Sequence, residues 1–203
     1  MQGKRHWENI YQTRQASQVS WFQEHAALSL QFIHGAGVAK DGHIMDVGGG
    51  ASTLVDDLLR EGYRNLTALD ISHAALQAAQ ERLGSDAAKV RWLEADITQV
   101  ELPSASVDVW HDRAVFHFLT DAQDRQRYVR TVLHAVRQGG HVIIATFAED
   151  GPLQCSGLDT MRYRPETLHH EFGDAFRLLG SANETHHTPA GKEQKFIYCY
   201  CRR

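Results

Sequence analysis

From about residue 40 onward, short apolar runs alternate with stretches whose apolar residues recur every three or four positions. The first pattern is that of a buried strand, the second that of an amphipathic helix. His43-Ile-Met-Asp-Val-Gly-Gly-Gly-Ala-Ser52 opens the series as strand and tight turn, and Thr53 to Glu61 follows as helix, with Leu54, Val55, Leu58 and Leu59 on one face. Asn65–Asp70 is the second strand. Ala75, Leu76, Ala79 and Leu83 form the next helical face, closed by Gly84. Val90–Asp96 and Val107–His111 are strands three and four. Asp121 suits an N-cap for a helix with Tyr128, Val129, Val132, Leu133 and Val136 turned inward, ended by Gly139-Gly140. His141–Phe147 is a continuous apolar run fit for a sheet interior. Pro165 starts a short helix over 166–171, and Phe176–Glu184 and Gln194–Cys201 are the last strands.

Repeated βα units predict an α/β fold: a Rossmann-like, doubly wound sheet, mostly parallel, with right-handed crossovers. The loop at 187–193 is too short for a helical crossover, so the last strand is expected to run antiparallel. The chain reads as one domain over 1–203. Residues 1–40 form a helical cap or lid over the cofactor edge, and 41–203 form the core.

Composition narrows the function classes. The 203 residues suit one domain with a full core, and the net charge is −4 without a lysine or arginine run. A dedicated nucleic-acid binder is therefore not expected. No apolar segment is long enough to span a bilayer, and Met1-Gln-Gly-Lys-Arg-His lacks an apolar signal core, which points to a cytoplasmic protein without membrane attachment. Cys155, Cys199 and Cys201 make no disulfide framework and read as buried, unreactive thiols. The thirteen histidines show no spacing typical of a metal site, and no metal is expected.

Asp46 precedes the Gly48-Gly49-Gly50 turn, Asp70 ends strand two and Asp96 ends strand three. An acid at the tip of the second strand is the usual partner of ribose hydroxyls. A dinucleotide fingerprint starting at Gly48 needs glycine at 53, where Thr53 stands, and leaves Asp46 unexplained. Either Asp70 or Asp96 alone also reads as a helix N-cap. Three acids in this register resemble the class I S-adenosylmethionine (SAM) methyltransferases. The resemblance implies that the loop packs on the amino-acid part of SAM, Asp70 (beside Ile71) binds the ribose, and Asp96 (beside Ile97) meets the adenine amine.

His6-Trp-Glu-Asn-Ile-Tyr11, Val19-Ser-Trp21-Phe22 and Pro103-Ser-Ala-Ser-Val-Asp-Val narrow the resemblance. They are similar to a small group that includes the elongation-factor-1α and citrate synthase lysine methyltransferases and unassigned bacterial relatives. There a Trp-x-x-x-Tyr pair and a later Trp close over SAM, which implies lid roles for Trp7, Tyr11 and Trp21. The same aromatics also suit the plainer task of pinning a helix to the core. Two departures stand out. Ser52 replaces a common third glycine, and His111-Asp-Arg113-Ala-Val-Phe-His117 stands where the lysine methyltransferases carry Glu-Lys-Gly-Thr. Arg113 falls on the lysine position and keeps a cation near the cofactor.

Methyl transfer needs chiefly alignment of a nucleophile with the methyl–sulfur bond and exclusion of water. A base helps only when the nucleophile arrives protonated, and His111 and His117 are the candidates by pKa. For either histidine taken singly, packing on the cofactor or meeting solvent is the preferred reading. Three functions remain open: methyl transfer to a small-molecule acceptor, leaving S-adenosylhomocysteine (SAH); methylation of a protein lysine; and a SAM-binding regulator without catalysis. The small-molecule reading is preferred, because the chain carries no added substrate-recognition domain.

Overall fold

The computed structural model describes residues 2–203. Seven strands form one sheet: β1 (Ile44–Val47), β2 (Leu66–Asp70), β3 (Val90–Glu94), β4 (Val107–Arg113), β5 (Val136–Phe147), β8 (Arg177–His187) and β9 (Glu193–Arg202). Their order is β3-β2-β1-β4-β5-β9-β8, and β6 (Gln154–Cys155) with β7 (Leu158–Asp159) makes a separate two-stranded ribbon. Strands β1 to β5 pair in parallel, and β9 runs antiparallel to both β5 and β8. The order reverses at β1, between β2 and β4. Open α/β sheets place their ligands beyond the strand C-termini at such a switch point.

The helices are α1 (Gln2–Thr13), α2 (Ala27–Gly35), α3 (Leu54–Arg60), α4 (His73–Leu83), α5 (Ala122–Ala135) and α6 (Pro165–Phe172). Alternating strand residues feed two cores. Ile143 and Ala145 join Ile33, Leu54, Leu58 and Leu76 from α2, α3 and α4 on one face. Val142 and Ile144 join Tyr128, Val132, Leu168 and Phe172 from α5 and α6 on the other. Each fully buried Leu, Ile or Phe contributes about 1.5–3 kcal/mol relative to exposure. Caps set the boundaries: Asp121 accepts the Gln123 N–H to open α5, Ser72 accepts the Ala75 N–H to open α4, and Gly84 closes α4 at φ +57°.

One boundary departs from the periodicity. Helix α5 ends at Ala135, and Gly139-Gly140 lie inside β5 instead of capping the helix. The pairing jumps from Val107↔Val136 to Val109↔His141, so β5 bulges between these points. Gly139 takes φ +76°, and a Cβ on Gly140 would come within 2.7 Å of Val136 Cγ1. The Gly139 N–H finds the Arg203 carbonyl at 2.8 Å, and this long-range bond draws the segment into the sheet.

Candidate active site

The turn after β1 is built for close approach. Gly48 takes φ +73°, where only glycine is unstrained, and a Cβ there would overlap the Val115 side chain. A Cβ on Gly49 would overlap the Asp46 carboxylate, and one on Gly50 would lie 2.6 Å from Asp70 Oδ2. Bare backbone therefore lies against two carboxylates. Beside it is a cleft lined by Asp46, Gly48, Ser52, Thr53, Trp21 and Arg113.

Asp46 is 3% exposed. Its Oδ1 accepts from His111 Nδ1 at 2.7 Å, while its Oδ2 is buried without a hydrogen-bond partner. The carboxylate only accepts, so the His111 proton sits on Nδ1 and Nε2 accepts from the Ser29 hydroxyl at 2.8 Å. Both ring nitrogens of His111 are thus occupied. Ser29 continues to the Tyr198 hydroxyl at 3.2 Å, which meets Arg113 Nε at 3.1 Å. Arg113 pairs with Glu184 at 2.9 Å, lies over the Phe196 ring and donates to the Trp21 carbonyl at 3.3 Å. This buried chain runs from the glycine turn to the segment that carries Trp21.

Asp70 accepts from the Gly50 N–H at 3.1 Å and the Ser72 N–H at 2.9 Å. Burial pushes its pKa up to about 6, against the pull of these N–H groups. Asp96 holds its own turn: Oδ1 accepts from the Thr98 N–H at 2.9 Å and its hydroxyl at 2.7 Å, and Oδ2 from Gln99 at 3.0 Å. Ile71 is half-buried beside Asp70, whereas the Ile97 side chain belongs to the core with Met45 and Leu69.

Helix α1 closes over this edge. The Glu8 carboxylate accepts from the Ser72 hydroxyl at 2.8 Å and the Ala74 N–H at 3.2 Å, a negative charge at the N-terminus of α4. Lys4 pairs with Glu94. Trp7 packs edge-on against Trp21 and Phe118 at centroid distances of 5.5 and 4.9 Å. Trp21 Nε1 donates to the Tyr11 hydroxyl at 3.2 Å. Burial and the Asp70 charge push the Tyr11 phenol well above its usual range. Trp7, Tyr11 and Trp21 therefore meet in space.

His117 is fully buried, and its Nδ1 accepts the Phe147 N–H at 3.2 Å. Burial and the nearby Arg113 cation lower its pKa to about 3. Asp112 also turns inward: it accepts from Tyr128 Oη at 2.5 Å and the Val115 N–H at 2.9 Å, and ties down the turn after β4. Glu149 and Asp150 pair on the surface with Arg164 and Lys195, and Tyr163 turns to Glu171. Cys199 and Cys201 lie opposite Ile144 and Val142 in one core, whereas Cys155 of the ribbon packs in the other. Among the described residues, no group of three His, Cys, Asp or Glu side chains is arranged to hold a metal ion. Glu8, Ser29, Glu184 and Tyr198 are participants that sequence reasoning missed. Of these only Glu8 sits inside a motif that drew notice, next to Trp7.

Sheet order and glycine turn together give the fold of the class I methyltransferases. Residues 45–144, just under half of the chain, match the family model described as "Methyltransferase domain". The chain is 27% identical over 150 residues to the eEF1A lysine and N-terminal methyltransferase of Mus musculus, an alignment that takes in 71% of this chain and 21% of that protein. It is 35% identical over 108 residues to an uncharacterized methyltransferase of Mycobacterium bovis, covering 51% of this chain and 50% of that one. The chain thus spans about a fifth of the eEF1A relative and half of the mycobacterial one. In fold it is similar to the 1,6-didemethyltoxoflavin-N1-methyltransferase of Burkholderia thailandensis. That likeness has a TM-score of 0.72 and 18% identity, over 99% of this chain and 84% of that chain.

Proposed function

We propose that this protein binds SAM and transfers its methyl group to a small-molecule acceptor in the cytoplasm, leaving SAH. One observation carries the reading: the free, buried Asp46 Oδ2 faces a bare glycine turn beneath an aromatic cap. A buried carboxylate oxygen without a partner costs about 1–3 kcal/mol or more, and an ammonium group of a ligand would satisfy it. Bound SAM supplies an electrophilic methyl on a sulfonium. The Gly48–Gly50 turn would pack on its amino-acid part and Asp70 would receive the ribose hydroxyls. Asp96 would present its carboxylate, and Ile97 its backbone, toward the adenine. Trp7, Tyr11 and Trp21 would exclude water.

The residues after β4 work as supports. His111, held between Asp46 and Ser29, aims the Asp46 carboxylate; Arg113 anchors the lid segment through the Trp21 carbonyl. Neither His111 nor His117 has a free basic nitrogen, so we assign no general base. The eEF1A relatives favour a second reading, methylation of a protein lysine. Against it, Glu184 is engaged by Arg113, and the unpartnered buried carboxylate oxygen among the described residues, Asp46 Oδ2, is the one proposed for the ammonium of SAM itself. A cytoplasmic setting fits the three free thiols, and no helix among the described residues is long and apolar enough to cross a membrane.

Labelled SAM incubated with protein and cell extract should deliver its label to the small-molecule fraction. Label confined to polypeptide would make the lysine reading the better one. Asp70→Ala should weaken SAM binding by roughly 1.5–3 kcal/mol, the range for hydrogen bonds to a charged group. Unchanged affinity by titration calorimetry in a folded variant would remove Asp70 from the ribose site.

A further inference from the structure

Three more buried polar atoms at the C-terminal edge of the sheet lack partners: His117 Nε2, Thr146 Oγ1 and Gln194 Oε1. Thr146 shares the Ile144 face of β5 and belongs to the opposite side. The other two lie on the lid side. Gln194 is 8% exposed and shares a face of β9 with Phe196, whose ring is 6.3 Å from that of His117. Ser20 ties this wall to the lid segment. Its hydroxyl meets Cys155 Sγ at 3.9 Å and Gln194 Nε2 at 3.4 Å, and its carbonyl meets His186 Nε2 at 2.8 Å.

The hydrogen-bond character of the two free atoms follows from their partners. Phe147 N–H donates to His117 Nδ1, so the neutral ring carries its proton on Nε2 as an unused donor. Gln194 Oε1 is an unused acceptor. The surroundings are uncharged: burial raises the Cys155 thiol and the Tyr11 phenol and lowers the His117 imidazole, and Arg113 is neutralised by Glu184. Phe147, Phe196 and Phe118 supply flat walls around His117.

We propose that His117 and Gln194 form the acceptor subsite, and that it takes an uncharged heteroaromatic lactam or thiolactam. Such a ring offers a C=O or C=S to His117 Nε2–H and its neighbouring N–H to Gln194 Oε1. This deepens the methyltransferase reading and rests on it. The chemistry suits a site without a base. The exocyclic sulfur or oxygen forms a bond to the methyl carbon, and the methyl–sulfonium bond breaks with its electron pair passing to the SAM sulfur. The ring becomes cationic, its N–H is strongly acidified, and that proton leaves to water after release.

The test uses 2-mercaptopyridine, a thiolactam, with thiophenol and a lysine-bearing peptide beside it. Calorimetry on the SAH-loaded protein should show 2-mercaptopyridine binding, and labelled SAM should methylate it. Its KM should be about tenfold below that of thiophenol, the worth of one hydrogen bond to a buried partner. Gln194→Met should raise the Kd and KM for 2-mercaptopyridine about tenfold, the same one-bond worth, at unchanged SAM affinity. His117→Phe, which keeps the aromatic packing, should do likewise. The subsite is overturned if SAM binds but 2-mercaptopyridine does not, if thiophenol or the peptide is preferred, or if both variants bind it as the parent does. Failure of the parent to bind SAM would instead sink the methyltransferase reading, and this proposal with it.

Discussion

Replacing Trp7 by alanine should lower methyl transfer about 100-fold, the scale of loss when reacting groups are misplaced by about an ångström. Trp7 sits between Phe118 and Trp21, which lines the cleft with Asp46, so its loss leaves that wall unsupported. Deleting residues 1–13 should leave a folded protein with almost no transfer. Among the described side chains of that helix only Ile10 is buried, whereas the Ser20 and Trp21 contacts with the sheet remain. The contacts of α1 are a few aromatics, the Glu8 cap and a surface Lys4–Glu94 pair. Elements held so lightly open well below the global unfolding energy. Hydrogen exchange across residues 5–13 should therefore slow on adding SAM or SAH. Equal protection in both states would make α1 a fixed part of the core and end the lid hypothesis.

Acid should destabilise the fold through His117. Its folded pKa is lowered from the usual 6.5 to about 3 by burial and by Arg113. The unfolded imidazole takes up a proton as the pH falls through 6.5, while the folded one resists until about 3. The contribution is complete above pH 6.5 and lost as the pH falls toward 3. Between pH 6.5 and 4 it amounts to on the order of 3 kcal/mol. Asp70 and Asp112 act with opposite sign. Burial raises both to about 6, so their contribution is complete below the usual carboxyl value of 3.8 and lost as the pH rises through 6. The net pH curve of the parent mixes these effects. Denaturant unfolding of parent and His117→Phe at pH 4 and 7 separates them, because only the histidine differs. The stability difference should move by about 3 kcal/mol in favour of the parent as the pH rises. Parallel curves would mean that His117 is protonated as easily when folded as when unfolded.

Much of the architecture could be read from local pattern. Strand and helix periods are properties of adjacent backbone geometry, so the alternation of buried runs and 3.6-residue faces predicts the βα order. The short loop before β9 forces an antiparallel return for the same local reason. Gly48–Gly50 and the acids at 46 and 70 stand out in the sequence, and the structure lays this bare backbone against both carboxylates. The Trp7, Tyr11 and Trp21 spacing carries a resemblance strong enough to suggest that they meet, and they do. Gly139-Gly140 show where local pattern stops: two glycines after a helix read as a cap, yet a bond to the Arg203 carbonyl makes them a bulge.

The roles of the polar side chains were decided by the tertiary structure alone. His111 reads in sequence as a candidate base, or as a side chain that packs on the cofactor or meets solvent. Its character is set by Asp46, 65 residues away, and Ser29, 82 residues away, which take both nitrogens. Arg113 reads as a cofactor cation and is held by Glu184. Asp96 is engaged by Thr98 and Gln99, while Glu8, an ordinary helix-surface acid by pattern, caps α4. The reason is common to all four. An apolar residue needs only to be buried, and its periodicity shows which side is inside. A buried polar group must find a specific partner, and that partner is supplied by whichever distant segment the fold brings alongside.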